Sequence, residues 1–183
     1  MTPRRRRVLG AAVAAAAVAL LAAMALTGGR RESQQLVRFH ATGLMGALPG
    51  EIDHVEVERD GRRVTFVRGT GGTWTRDGDG PISASEAEHL QTSLRFMHVA
   101  EPVRVMERAE WHGTPDVEFG LAPPRYALRL SGNGRELLVA RFGATNPQRV
   151  LQYARVEGRH QLYLMPAFVG AEWEQVWERS PGR

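Results

Sequence analysis

The chain of 183 residues carries 24 basic side chains, all of them arginine, against 20 carboxylates, and it has no cysteine. Four arginines, Arg4 to Arg7, precede any acidic residue, so the rest of the chain is formally neutral, which argues against nucleic-acid binding driven by a surplus of positive charge. The lack of cysteine excludes disulfides, thiolate nucleophiles, cysteine-ligated zinc and iron–sulfur clusters, and a lipid-anchoring cysteine after the leader.

Beyond Arg7 the chain runs without a charge to Gly29, and from Val8 to Leu26 it contains only Ala, Val, Leu, one Gly and one Met. A spanning helix needs about 20 apolar residues, so the run is long enough to cross a bilayer. Its Val and Leu residues each favour insertion by roughly 0.3–0.6 kcal/mol, while the alanines add little. With the arginines held inside, the expected topology is single-pass in a bacterial inner membrane, N-in, with the bulk of the chain periplasmic. A rival reading is a signal peptide cleaved near Ala25, because Ala23-Met24-Ala25 has the small-x-small pattern of a processing site. The remainder would then be soluble in the periplasm. Arg5-Arg6-Arg7-Val8-Leu9 also loosely matches a twin-arginine export signal. A core helix of a cytoplasmic protein fits worst, since helices packed on a soluble core are amphipathic. The chain thus divides into a basic tip and anchor (1–29), a juxtamembrane stalk (30–50) and a periplasmic domain (51–183).

From Ser33 to Leu48 the apolar spacing is loosely helical and is weakened by Gly43, Gly46 and Pro49, which suits a short helix or stalk. Ile52, Val55 and Val57 open an extended stretch, Asp60-Gly61 supplies a tight turn, and Val64 and Phe66 return in a second strand. A short strand at Trp74 follows, then a turn over 77–81. Ser83 with Glu86 three residues on forms a capping box, with Ser85 the alternative cap, and Ala87, Leu90, Leu94 and Met97 give one apolar stripe. That helix should end near His98. Residues 102–107 alternate as a strand, and residues 110–124 form a loop rich in turn formers. Tyr126, Leu128 and Leu130 alternate before Asn133-Gly134, a strong hairpin signal, and residues 137–142 return. Residues 150–156 and 161–165 make another hairpin about Glu157-Gly158, and Phe168, Val169, Trp173, Val176 and Trp177 mark a C-terminal helix. About seven strands and two or three helices joined by hairpins imply an α+β fold, a mainly antiparallel sheet with helices packed on one face. Hairpin-then-helix occurs in both halves, which leaves a duplicated ancestral unit open.

Gly71-Gly72-Thr73-Trp74 after a hairpin, Phe119-Gly120-Leu121-Ala122-Pro123-Pro124 opening a strand pair, and Phe142-Gly143 leading to Tyr153-Ala154-Arg155 and Leu162-Tyr163-Leu164 follow one order and spacing. In these segments the chain resembles the domain-of-unknown-function-4340 family of bacterial envelope proteins, over about residues 51–168. Ala122 stands where that family often has Asp, so any role of that carboxylate is missing. The resemblance implies one N-terminal membrane segment and an accessory role beside gliding-motility-type ABC transporter components. It brings no catalytic residues with it.

The loop Glu110-Trp111-His112-Gly113-Thr114-Pro115-Asp116 is the densest cluster of reactive types. A metal site needs at least three ligands, and no H-x-x-x-H pair or equivalent is present, so the loop reads as a connection anchored by Trp111. His89 and His98, nine residues apart on one predicted helix, are separated by about 13.5 Å of rise and cannot share a metal. His40, His54 and His160 fall on separate elements. No G-x-S-x-G elbow surrounds a serine, and residues 69–72 are glycine-rich without the Lys or the helix start of a phosphate loop. No catalytic, cofactor-binding or metal-binding residue is therefore assigned, and no cofactor is expected. The loop 143–149 mixes small, amide and cationic groups, and exposed loops of this kind carry recognition; Asn146, Gln148 and Arg149 are the candidate partner contacts. Trp173 and Trp177, four apart, suit core packing, with a partner groove or a membrane interface as alternatives.

Three readings of function follow. The first is a non-enzymatic, membrane-anchored periplasmic accessory protein that binds another protein of an envelope transport or surface-assembly complex, without nucleic acid. The second is a periplasmic module for a small ligand or cell-wall glycan, with Trp74 or Trp111 as a stacking surface and arginines for anionic groups. The third is a hydrolase whose paired carboxylates meet only in space.

Overall fold

Alternating apolar residues in the computed structural model, which describes residues 42–180, form one antiparallel sheet of nine strands. Strands β1 (His54–Arg59), β2 (Arg62–Arg68), β3 (Trp74–Arg76) and β4 (Gly80–Pro81) precede helix α1 (Ala84–Val99). Strand β5 (Arg104–Met106) and the single turn α2 (Arg108–Trp111) lead through a 3-10 turn at Asp116–Phe119 to the second half. There β6 (Tyr126–Gly132), β7 (Arg135–Thr145), β8 (Leu151–Val156) and β9 (Leu162–Pro166) precede helix α3 (Ala167–Glu178). The expected anchor from Val8 to Leu26 and most of the expected stalk lie outside the described residues. Within them no helix is long and apolar enough to cross a membrane.

Across the sheet the order is β4-β3-β2-β1-β6-β7-β8-β9-β5. Leaving β5 aside, this is a palindrome: two four-stranded meanders, each followed by a helix, joined where β1 pairs with β6. Register supports the equivalence. Glu56 faces Arg129 at the middle of that joint, and the two first hairpins turn at Asp60-Gly61 and Asn133-Gly134, all four residues having positive φ. Asp and Asn tolerate this left-handed conformation and Gly adopts it freely, which is why the two turns were legible. The halves differ by a bulge, since the β6–β7 register shifts between Leu130 and Ser131.

One face of the sheet carries the main core. Val55, Val57, Phe66, Leu128, Leu130 and Phe142 turn toward Leu90, Leu94 and Met97 of α1 and Val169, Trp173 and Val176 of α3. Burying each such side chain contributes about 1.5–3 kcal/mol before conformational entropy is charged. Trp173 is fully buried and Trp177 packs at the core edge, so this pair serves packing. Residues 42–45 close the C-terminal end of α1. The amides of Gly43 and Met45 donate to His98 O and Met97 O at 2.9 and 2.8 Å, carbonyls that an isolated helix end leaves unpaired.

The α+β expectation holds, with three local corrections. Nine strands replace about seven, and among them residues 80–81, read as a turn, add β4 to β3. The stretch read as loop, residues 110–124, instead holds the end of the helical turn α2 at Glu110 and Trp111 and a 3-10 turn at Asp116–Phe119. Strand β7 runs on to Thr145, so Gly143, Ala144 and Thr145 belong to the sheet and not to the loop. Gly143 is needed there for close approach, since a Cβ on it would lie 2.2 Å from Phe119 O.

Candidate functional site

The β7–β8 turn is built on Asn146. Its amide oxygen accepts from the backbone N–H groups of Val150 and Leu151, both at 3.0 Å, and its amide nitrogen donates to Gln148 Oε1 at 2.9 Å. Arg149 N donates to Asn146 O at 2.8 Å, and Arg149 itself takes φ 59°. This arrangement spends the polar atoms of Asn146 within the turn, while Gln148, Arg149 and Val150 project into solvent. Of the three sequence candidates, Asn146 is thus the residue that shapes the loop, and Gln148 and Arg149 are the ones free to touch a partner.

The fold brings apolar surface to this tip from elements distant in sequence. Ala167 N donates to Val150 O at 2.9 Å, which carries the start of α3 to the turn. Val150 is 60% and Phe168 52% exposed. The ring of Phe168 meets Phe96 of α1 edge-on, 5.0 Å between centroids, and the Arg95 guanidinium lies 5.9 Å from the Phe96 ring centre. Val150, in the turn with Gln148 and Arg149, and Phe168, with Phe96 and Arg95, thus leave apolar side chains exposed at this end of the domain. Sequence reasoning missed Phe168 here because its helical spacing marked it as core. The available signal was Pro166 two residues earlier, which places Phe168 in the first turn of the helix.

On the opposite face of the sheet, Trp111, Phe119, Leu121 and Leu162 form a second, smaller core with Met106 and Tyr153. Trp111 is 2% exposed, so the expectation that it anchors the loop is met. Gly120, at φ 65°, lets the backbone approach β7, since a Cβ there would sit 2.6 Å from Ala144 N. Asp116 holds Arg155, and His112 is exposed. Neither Trp74 nor Trp111 offers a stacking surface: both are 2% exposed, with Arg68 over the first ring at 4.5 Å and Arg108 over the second at 3.9 Å. This corrects the stacking version of the ligand-module reading.

His40 lies outside the described residues, and among those described the histidines do not converge. His89 bonds Glu172 of α3, His54 bonds Glu56 within β1, and His98 Nδ1 bonds Met45 O. Among the described residues no three His, Asp or Glu side chains are gathered as a metal-ligand set. Compared with protein-family models, with curated proteins and with solved structures, the chain matches none.

Proposed function

We infer that this is an envelope protein held in the inner membrane by the segment from Val8 to Leu26, with its α+β domain in the periplasm, and that the domain acts by binding another protein. The observation that carries this reading is the exposure of Val150, in the turn with Gln148 and Arg149, and of Phe168, next to the Ala167 whose amide bonds Val150 O. Exposed apolar side chains near cationic and amide groups have the make-up of an interface centre with a polar rim. The kind of partner comes from the resemblance to the domain-of-unknown-function-4340 family, which implies a transport or surface-assembly complex of the gliding-motility ABC-transporter type.

The test is affinity purification of the full-length, C-terminally tagged protein from detergent-solubilised membranes, with sequencing of its N-terminus. Recovery with Arg4 to Arg7 intact and with stoichiometric membrane-transport subunits is the expected result. A protein that begins at Leu26 and comes alone would overturn it and favour the alternative, a processed periplasmic module for a small ligand or cell-wall glycan.

A further inference from the structure

Arg141 of β7 and Arg155 of β8 are direct cross-strand partners on the outer face of the sheet. Like charges placed directly opposite destabilise a strand pair, so the arrangement breaks a local rule, and such breaks gather at functional sites. Only one of the two is compensated. Arg155 Nη1 donates to both carboxylate oxygens of Asp116, at 3.0 and 2.8 Å. Among the described residues Arg141 makes no ion pair, and neither does Arg108, whose neighbour Glu110 pairs with Arg104.

A built cleft surrounds these groups. One part, of about 470 Å³, is lined by Arg108, Trp111, Thr114, Asp116, Arg155 and His160. The adjoining part, of about 120 Å³, shares Asp116 and Arg155 and adds Arg141, Glu157 and Arg159. The guanidiniums of Arg108 and Arg155 lie 3.9 and 5.1 Å from the centre of the buried Trp111 ring. Stacking on a fixed indole restrains both side chains before any ligand arrives, which lowers the entropy lost on binding. Four guanidiniums against two carboxylates leave a surplus of two positive charges, and planar N–H forks match phosphate oxygens two at a time.

We propose that this cleft binds a phosphate group through Arg108, Arg141 and Arg155, with Arg159 and His160 at its rim. The site lies on the sheet face opposite α1 and α3, so the inference stands apart from the partner-binding tip. Two sources of phosphate fit this chemistry. Arg159 Nη2 donates to Leu44 O at 2.9 Å, which ties the rim of the cleft to the first described residues. A lipid headgroup and a soluble phosphate compound share the chemistry that the arginines recognise.

The experiment melts the full-length protein in neutral maltoside micelles against increasing inorganic pyrophosphate. In parallel, micelles are doped with phosphatidylglycerol or, for comparison, phosphatidylcholine. Stabilisation by pyrophosphate assigns a soluble ligand, and stabilisation by phosphatidylglycerol over phosphatidylcholine assigns a headgroup. In either case the double variant R108Q/R141Q should raise the apparent Kd at least tenfold. Its ligand-free melting temperature should change little, because R141Q relieves a like-charge pair while R108Q gives up the stack on Trp111. Arg135→Gln, an exposed arginine on the β6–β7 turn, should leave binding as in the wild type. The proposal is overturned if neither probe stabilises the protein, if R108Q/R141Q responds like the wild type, or if R135Q weakens binding as much.

Discussion

Asp60 and Asn133 occupy equivalent corners of the two halves of the sheet: each has φ 52°, and each is followed by a glycine, at φ 74° and 70° respectively. Each pair closes the first hairpin of its meander, so the two turns set the registers on which both halves are built. Gly61→Ala and Gly134→Ala should each destabilise the domain by about 1–2 kcal/mol, the cost of a left-handed non-glycine residue. Gly71→Ala, with open space around the added methyl and no left-handed φ, should fall within about 0.5 kcal/mol of wild type. Urea titration of the three variants decides this, and equal effects at all three positions would refute the turn argument.

Gly170 brings α3 close against Gln152 and Tyr126 of the sheet. A Cβ there would lie 1.8 Å from Gln152 Oε1 and 2.6 Å from the Tyr126 hydroxyl. Those two groups are already tied, since Tyr126 donates to Gln152 Oε1 at 3.3 Å and Gln152 Nε2 donates to Gly143 O at 2.9 Å. Gly170→Ala must displace a buried network, at a cost of about 1–3 kcal/mol, which thermal denaturation would register. A wild-type melting temperature in this variant would mean that α3 can shift freely.

Burial, aided by Glu174, pushes the Tyr126 phenol well above its ordinary value of 10. The folded state therefore holds this proton more tightly than the unfolded state. Its contribution is complete below pH 10 and is lost as pH rises from there toward the folded value. With no lysine and no cysteine in the chain, and three tyrosines in all, few other groups titrate in that range. Stability measured between pH 9 and 11.5 should fall more steeply in wild type than in Tyr126→Phe; parallel curves would assign the alkaline loss elsewhere.

Glu86 behaves in the opposite sense. Partial burial raises its pKa, but the hydrogen bonds from the backbone and hydroxyl of Ser83, together with the Arg76 guanidinium, outweigh that and hold it below the ordinary 4.5. A depressed carboxylate contributes stability above its unfolded pKa and loses it as pH falls through the folded value. At neutral pH Glu86→Gln should cost about 1 kcal/mol, the usual worth of a helix cap. The gap from wild type should narrow as pH falls below the ordinary 4.5 and through the lower folded value. A gap that persists undiminished at pH 3 would show that charge is not what the cap uses.

At the exposed tip, shape and contact can be separated. The double variant Gln148→Ala with Arg149→Glu should keep its stability within about 0.5 kcal/mol and lose any co-purifying membrane protein. Phe168→Ala should lose it too, at a stability cost of about 0.5–1.5 kcal/mol for the contact with Phe96. Asn146→Ala should instead destabilise the turn, because two backbone amides lose their acceptor. Retention of the same partner by the first two variants would move the interface elsewhere.

Local chemistry determined much of this domain. Asp60-Gly61 and Asn133-Gly134 are turn signals because φ is a property of single residues, and Ser83 with Glu86 started α1 through bonds spanning three positions. Alternation placed Val55, Val57, Leu128 and Leu130 on one face by the period of the strand alone, and so the antiparallel α+β class was readable in advance. What spans many residues was not. β4 exists only because β3 offers it an edge, and Gly143 reads as a loop glycine until the backbone of Phe119 is seen against it. The burial of Trp74 and Trp111, the meeting of Phe168 with Phe96 and Val150, and the opposition of Arg141 and Arg155 were all decided by tertiary structure. Each depends on which strands become neighbours and in what register, and spacing along one chain does not encode that distance.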